Sequence, residues 1–342
     1  MMPASFSELP VELKFLVWSY IDYDYPSNPF QRESVSLVPY ACVSREWQLA
    51  FERLTFRKIV IRSSQVSRFK EYIVGHRMAS LRTLRFRIII PNSDAYDSVS
   101  GTQWDNIAFT RSVKDLWAIL KSIEDGYPKP QALKLRVHLS AQPRNFREDP
   151  LDFVDDRNLD EVDEADRVAE ISNRLPFKST RIPQDLPPIP WVDGFIWSST
   201  FRGIHGAALG RLVSRFHGLT YFEVHLSEVS TQIRSDVARG MSNLSLPRLS
   251  ELVFNFDVHY EVTRLPNISS HSSDALSMAV HRLLQSPNLL KVTLGDPNLN
   301  RSVRFTPELF WPQLQGFEVR FLQTEHGFIS MNIWLASSKV PG

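Results

Sequence analysis

Apolar side chains recur at three- and four-residue steps near the start of the chain. Between residues 9 and 21 the apolar positions are Leu13, Leu16, Val17, Tyr20 and Ile21. This spacing places them on one face of a helix. Pro10 suits a first helical turn, where its nitrogen needs no hydrogen bond. The pattern therefore predicts a short, strongly apolar helix over residues 9–21.

A second helical pattern follows a polar loop over residues 22–34 that contains two prolines. Its apolar positions are Leu37, Ala41, Trp47, Phe51 and Leu54. Ser44 stands where a side-chain oxygen would cap the helix that carries Trp47. The N-terminal part of the chain is thus predicted to be helical, with a loop between its apolar segments.

From residue 58 onwards, helical and alternating patterns follow each other. Short apolar runs, several with strict alternation, predict strands over 58–61, 81–90, 132–139, 219–226, 249–256, 288–294 and 312–321. Apolar residues at helical spacing predict helices over 65–77, 111–124, 206–217, 229–241 and 273–285. Strands that alternate with helices are typical of an α/β fold.

Several predicted strands begin with the same arrangement, a leucine followed three residues later by Leu or Phe. It occurs at Leu81, Leu249 and Leu314. A repeated strand-and-helix unit is typical of a solenoid, in which each unit buries its apolar face against its neighbours. The units here are longer and less regular than ordinary leucine-rich repeats. The pattern is therefore compatible with an irregular repeat array and also with an ordinary α/β domain.

Charge is distributed unevenly along the chain. Residues 148–166 contain ten acidic residues and one arginine, and a proline-rich stretch follows at 181–190. This composition predicts a solvated insertion over 141–190. Residues 44–90, in contrast, contain eleven Lys or Arg residues and three Glu. The acidic segment either folds back onto this basic region or is solvated independently of it.

The overall composition narrows the class of protein. The chain has 342 residues with a formal net charge of +1, which gives no general attraction to nucleic acid or membranes. Cys42 is the single cysteine, and its apolar neighbours predict a buried, unreactive thiol. No apolar run has membrane-spanning length, and the N-terminus is not a secretory signal. We therefore expect a cytoplasmic or nuclear protein.

Motifs for chemistry are sparse. The histidines show no metal-ligand spacing with each other or with the cysteine. His138, His225 and His259 fall within or just after strand-like runs, where solvent-facing positions are expected. Arg85 and Arg87 should share one strand face with Phe86 on the other. We predict no catalytic residue, metal, cofactor, nucleic-acid partner or membrane partner.

The N-terminal residues carry the features of a known family. Leu9, Pro10 and Glu12 form a Leu-Pro-x-Glu opening, and Val43, Arg45 and Trp47 form a Val-x-Arg-x-Trp close. Residues 6–55 thereby resemble the F-box, although the loop over 22–34 is longer than in the family. The whole chain is similar to fungal F-box proteins with degenerate repeats behind the box.

This resemblance implies an architecture and a division into domains. A three-helix F-box would occupy residues 1–57. An irregular leucine-rich-repeat-like α/β solenoid would follow in two parts, over 58–140 and 191–342. The insertion over 141–190 would separate the two parts.

The resemblance also implies a function. An F-box docks on the adaptor subunit of an SCF-type (cullin-RING) ubiquitin ligase, and through the adaptor on a cullin, while the repeat domain captures a protein substrate. The chain would then be a receptor and not an enzyme. The implied adaptor-binding residues are Leu9, Pro10, Leu13, Leu16, Val17, Leu37, Val43 and Trp47. The alternatives are a non-ligase interaction scaffold with an F-box-like fold, and an enzyme with an active site within 190–342.

Overall fold

The computed structural model of the chain describes Lys14 and the ranges 42–90, 99–126, 134–143, 186–198, 204–226, 231–256, 275–295, 316–320 and 330–333. Nine strands within these ranges form one open sheet. The strands are β1 (Lys58–Arg62), β2 (Thr83–Ile90), β3 (Leu135–Pro143), β4 (Val192–Ser198), β5 (Tyr221–Leu226), β6 (Glu251–Phe256), β7 (Lys291–Gly295), β8 (Gly316–Arg320) and β9 (Ser330–Ile333).

Seven α-helices accompany the strands in the described ranges. They are α1 (Arg45–Thr55), α2 (Val66–Tyr72), α3 (His76–Ser80), α4 (Val99–Gly126), α5 (Gly206–Val213), α6 (Thr231–Met241) and α7 (Ala275–Leu284). A short 3-10 helix, Ser63–Gln65, leads into α2. Among the described helices, none combines the length and the apolar character that crossing a membrane requires.

The strand order in the sheet follows the chain from β1 to β9. Each strand from β1 to β7 pairs in parallel with the next one, and β9 pairs antiparallel with β8. Parallel neighbours cannot be joined by a hairpin, so each connection must cross back along the sheet. The helices α4, α5, α6 and α7 lie in such connections. The fold is therefore mixed α/β with a largely parallel sheet.

One face of the sheet is a continuous apolar ladder. Alternate residues are buried along each strand, and parallel register aligns them between strands, as in the row Phe86, Leu139, Trp197, Val224 and Phe254. The helices pack on this ladder through residues at helical spacing. In α4, for example, Val113, Leu116 and Leu120 are all fully buried. The core thus lies between the helices and one face of the sheet.

The chain segment before β4 is fixed to the core. Leu186, Ile189 and Trp191 are buried, and the indole N–H of Trp117 in α4 donates a hydrogen bond to the Pro187 carbonyl at 3.0 Å. The proline-rich segment therefore ends in ordered contacts with α4. Residues 144–185, most of the predicted insertion, lie outside the described ranges.

Helices α5 and α6 approach each other so closely that glycines are required at the contact. A Cβ atom on Gly206 would lie 1.7 Å from the Asp236 carbonyl oxygen, and one on Gly240 would lie 1.8 Å from the Gly206 carbonyl oxygen. Both obstacles are backbone atoms, which cannot swing away as a side chain could. The two helices are thus held at a separation that larger residues would prevent.

Helix α1 is joined to the first strand-and-helix unit by an ion cluster. The Arg77 guanidinium donates two hydrogen bonds to the Glu52 carboxylate, at 2.7 and 3.2 Å, and His76 Nε2 lies 2.5 Å from Glu52 Oε2. Mainly because of the hydrogen bonds from Arg77, the pKa of Glu52 is lowered to about 2. Phe51, one residue earlier, is fully buried. α1 is therefore fixed against α3.

The structure corrects several sequence-based element assignments. The helix predicted over 65–77 is interrupted, because Gly75 adopts φ 56° between α2 and α3. The helix predicted over 111–124 begins earlier, at Val99. Strands β4 and β9 were not predicted at all. In β4, Asp193 is an extra residue in the pairing with β3, and this irregularity interrupts the alternation.

Substitution of Gly206 by Ala should destabilise the protein by about 3 kcal/mol, since overpacking typically costs 1–3 kcal/mol and the obstacle here is backbone. Urea unfolding followed by circular dichroism measures this change in unfolding free energy. Gly126→Ala is the matched control, because the nearest atoms to its Cβ would be at 3.8 Å. It should change stability by at most about 1 kcal/mol. Equal effects of the two substitutions would contradict the close helix contact.

Glu52→Gln should destabilise the protein by about 1.5–3 kcal/mol at pH 7, the range for hydrogen bonds to a charged group. The wild-type carboxylate has a folded-state pKa of about 2, below its ordinary value of 4.5. Its contribution is therefore present above pH 4.5 and is lost as the pH falls towards 2. Unfolding measured from pH 7 to pH 3 should show a smaller loss of stability in the variant. If the unfolding free energy falls equally with pH in the wild type and the variant, the low pKa assigned to Glu52 is wrong.

Candidate functional site

The face of the sheet opposite the apolar ladder carries polar side chains in register, and we call it the polar face. Its residues on β2 to β6 fall in three rows across the strands. The rows are Thr83, Arg136, Gly194, Tyr221 and Glu251; then Arg85, His138, Ile196, Glu223 and Val253; then Arg87, Ser140, Ser198, His225 and Asn255. Most of these side chains are half-buried and few are apolar.

The Arg136 side chain extends from β3 across Gly194 of β4 to Tyr221 on β5. Its guanidinium carbon lies 4.4 Å from the ring centre of Tyr221, which is a cation–π contact. The intervening strand carries Gly194, and a Cβ there would lie 2.6 Å from Arg136 Cγ. Gly194 thus leaves room for the arginine to reach the tyrosine ring.

Glu223 is the centre of a hydrogen-bonded cluster on β5. The Tyr221 hydroxyl donates to Glu223 Oε2, and His225 Nε2 lies 2.5 Å from Glu223 Oε1. Burial alone would raise the pKa of Glu223. The hydrogen bonds from His225 and Tyr221 outweigh this effect, and the pKa is lowered. Burial and the bond to Glu223 raise the pKa of Tyr221. Both carboxylate oxygens are therefore engaged, and the phenol stays protonated.

His138 lies beside this cluster in the middle row. Its Nε2 atom is buried and has no hydrogen-bond partner among the described residues. Burial, with the positive charges of Arg85 and Arg87 as additional causes, lowers the pKa of His138 to about 4. The imidazole is therefore neutral at pH 7.

The predictions for individual histidines and for Cys42 need correction. His138 is half-buried instead of solvent-facing, and His225 is paired with Glu223. Cys42, expected to be buried, is exposed, because it precedes α1 and does not pack against the core. Arg85 and Arg87 are on the polar face with Phe86 fully buried behind them, so the predicted alternation is confirmed. His259 lies outside the described residues.

Two of the predicted adaptor-binding residues are described. The Val43 side chain is 64 % exposed. The next residue is Ser44, whose hydroxyl accepts a hydrogen bond from the backbone N–H of Trp47. Trp47 is half-buried, with its ring centre 5.4 Å from that of Phe51. The other six lie outside the described residues: Leu9, Pro10, Leu13, Leu16, Val17 and Leu37.

A contact from the predicted first helix reaches α1. Lys14 has helical conformation, and its ammonium lies 3.0 Å from the Glu46 carboxylate in the first turn of α1. This ion pair joins residues that are 32 positions apart in the chain. Lys14, the one described residue of the predicted first helix, therefore lies close to α1.

The described ranges contain no group of three His, Cys, Asp or Glu side chains that could hold a metal ion. The Tyr221–Glu223–His225 cluster escaped the sequence analysis because its members form a short alternation within one ordinary strand. The signal that could have found it is a carboxylate flanked at both alternate positions by hydrogen-bonding side chains. Such a spacing on one strand face brings the three groups together.

A scan against models of known protein families finds no match, and no curated protein has significant similarity to the sequence.

Replacing His138 by Gln should reduce the pH dependence of stability. The unfolded chain binds a proton at the ordinary histidine pKa of 6.5, whereas the folded protein binds it near 4. The unfolding free energy therefore falls as the pH drops from about 6.5 to about 4, by roughly 1–3 kcal/mol for this group. Urea unfolding at pH 7 and pH 4.5 should show a smaller fall in the variant.

The control is His217→Gln, which changes an exposed histidine in the turn before β5. This variant should retain the wild-type fall in unfolding free energy. If His138→Gln also retains this fall in unfolding free energy, the conclusion that a neutral imidazole is buried at position 138 is wrong.

Proposed function

We propose that this chain is a substrate-recognition subunit of an SCF-type ubiquitin ligase. In this proposal an F-box over residues 1–57 docks on the adaptor subunit, and the sheet domain captures a protein substrate. The chain supplies binding surfaces, and other subunits carry out ubiquitin transfer. The alternative is an interaction scaffold with an F-box-like fold that does not join a ligase.

The observation that carries the proposal is the order of the strands together with the polar face. A parallel sheet in which every strand pairs with the next one along the chain is what a repeated strand-and-helix unit produces. We therefore interpret the domain as an irregular leucine-rich-repeat-like array. In such arrays the side of the sheet away from the helices is available to a partner, and here it carries polar side chains in register.

The N-terminal contacts support the adaptor-binding part. Val43 belongs to the Val-x-Arg-x-Trp motif, and its largely exposed side chain suits an apolar contact with another protein. The Lys14–Glu46 ion pair joins one residue of the expected first helix to α1. A small helical module buries a low fraction of its surface, so apolar residues there favour a partner.

In this proposal, the ion cluster around Glu52 connects the F-box to the sheet domain. Glu52 is in α1, and Arg77 is in α3, which directly precedes β2. A receptor must hold its substrate at a defined position relative to the adaptor, since transfer depends on orientation. The bidentate Arg77–Glu52 pair provides such a connection between α1 and the sheet domain.

Val43→Asp should weaken binding to the adaptor at least tenfold. Loss of one buried valine contact corresponds to about 1.5 kcal/mol, and a carboxylate in an apolar groove adds a desolvation penalty. Co-purification of the full chain with the adaptor, followed by titration calorimetry, measures the effect. Val74→Asp is the matched control, since Val74 is 54 % exposed and outside the motif; its binding should equal that of the wild type.

A second variant tests the opening of the motif. Leu13→Asp combined with Leu16→Asp should abolish adaptor binding, while circular dichroism shows that the sheet domain remains folded. If the wild-type chain does not bind the adaptor at all, the scaffold alternative replaces the ligase proposal. If it binds but Val43→Asp binds equally well, the role assigned to Val43 is wrong.

A further inference from the structure

The guanidinium of Arg136 is exposed on the polar face, and its hydrogen-bonding capacity is unused within the described residues. Its side chain lies over the Tyr221 ring, with 4.4 Å between the guanidinium carbon and the ring centre. An arginine carries five N–H donors. None of the five donates to an oxygen atom of a described residue. The side chain is therefore held in place while its donors remain open to a ligand.

Neighbouring strands fix the position of this guanidinium. The Tyr221 hydroxyl donates to Glu223, whose other carboxylate oxygen lies 2.5 Å from His225 Nε2. These bonds fix the ring over which Arg136 lies. Gly194 leaves the space through which the arginine passes, since a Cβ there would lie 2.6 Å from its Cγ. A group that is already ordered loses less freedom on binding, so the arrangement favours recognition of a ligand.

The surroundings of Arg136 carry an excess of positive charge. Burial raises the pKa of Asp193 on β4, although three nearby cations act in the opposite direction. The three are Arg136, Lys134 and Arg82. Lys134 directly precedes β3, Arg82 directly precedes β2, and both are exposed. Because these strands are parallel, their first residues lie along one edge of the sheet, where three cations surround one carboxylate.

The row that contains Arg136 adds a donor and no free carboxylate. Thr83 is the register partner of Arg136 on β2, so its hydroxyl belongs to the same face one strand away. A hydroxyl there can donate to an anion bound by the neighbouring guanidinium. In the described part of this row Glu251 is the one carboxylate, and Lys291 Nζ lies 2.6 Å from it. The guanidinium is therefore left to an external anion.

From this geometry we infer that Arg136 binds an acidic side chain of the captured substrate, and that Tyr221 positions the guanidinium for this contact. The inference rests on the proposed function, because it names the chemistry of the substrate. A guanidinium presents two parallel N–H groups that match the two oxygens of a carboxylate. The hydrogen-bonded cluster around Glu223 thereby has a role, which is to hold the ring that carries Arg136.

A single open guanidinium favours a carboxylate over a phosphate group. Phosphorylated motifs are bound by clusters of arginines. Here Arg82, the other arginine near Asp193, already donates two hydrogen bonds to carbonyl oxygens, both at 2.9 Å. A single-stranded nucleic acid needs aromatic rings that are open for base stacking, whereas the Tyr221 ring carries Arg136. The site therefore matches one carboxylate of a peptide.

The test uses the full chain and three fluorescent peptides of equal length, titrated by fluorescence anisotropy. The peptides are rich in Glu, in Gln or in phosphoserine. The Glu-rich peptide should bind, the Gln-rich peptide should not, and the phosphoserine peptide should bind no more tightly than the Glu-rich one. Arg136→Gln should weaken binding of the Glu-rich peptide at least tenfold. Arg136→Lys should give an intermediate loss, since the charge remains but the paired hydrogen bonds do not.

Two further variants test the positioning of the guanidinium without removing any charge. Tyr221→Leu removes the ring, and Gly194→Ala places a methyl group where the Arg136 side chain passes. Each should weaken binding of the Glu-rich peptide several-fold, and Tyr221→Phe, which keeps the ring, should retain most of the binding. Neither Tyr221→Leu nor Gly194→Ala should weaken binding further when Arg136→Gln is already present. Additive losses in these double variants would show that Tyr221 does not act through Arg136.

The matched control removes the same charge elsewhere. Arg68→Gln changes an exposed arginine of α2, next to the buried Phe69. Binding of the Glu-rich peptide should change less than twofold in this variant. Equal losses in Arg136→Gln and Arg68→Gln, tighter binding of the phosphoserine peptide, or equal binding of the Glu-rich and Gln-rich peptides would each overturn the inference.

The outcome is separable from that of the proposed function. Arg136→Gln should bind the adaptor as the wild type does, and its thermal unfolding should confirm that it is folded. Loss of peptide binding with intact adaptor binding supports the role of Arg136. A wild-type chain that binds the adaptor but not the Glu-rich peptide overturns this role and leaves the receptor proposal in place. A chain that binds the peptide through Arg136 but not the adaptor overturns the receptor proposal alone.

Discussion

Burial of one continuous apolar ladder is the constraint on which the rest of this structure depends. Because alternate strand residues point to opposite faces, placing Phe86, Leu139 and Trp197 in one buried row determines where their neighbours point. Arg85, His138 and Ile196 must then face the other side. The polar face is thus a consequence of core formation, and the residues on it can vary in chemistry without changing the fold.

The same sheet imposes a packing problem on the helices. Parallel strands are about 4.8 Å apart, whereas packed helices are usually 8–10 Å apart. A helix layer that follows the strands one for one is therefore crowded. Gly206 and Gly240 reduce this mismatch where α5 meets α6, because each removes a Cβ from a backbone contact. The glycine contact keeps the helices closer to the spacing that β5 and β6 require.

Periodicity in the sequence determines much of the fold but not the site. Strand β6 begins and ends within two residues of the predicted 249–256, since its alternation is regular. Strand β4 was missed because Asp193 and Gly194 interrupt its pattern, although Gly194 is what lets Arg136 reach Tyr221. Periodicity assigns each residue to a face but does not say which strands become neighbours. The register between β3, β4 and β5 therefore had to come from the structure.

The polar face combines two kinds of electrostatic environment. Around Glu223 the charge is compensated internally, since Tyr221 and His225 occupy its carboxylate oxygens. A partner gains little from that carboxylate unless it displaces one of those bonds. At the β1–β3 end the strands contribute cations alone. By sequence the face is therefore basic at its β1–β3 end, whereas the carboxylate on β5 is compensated by its own neighbours.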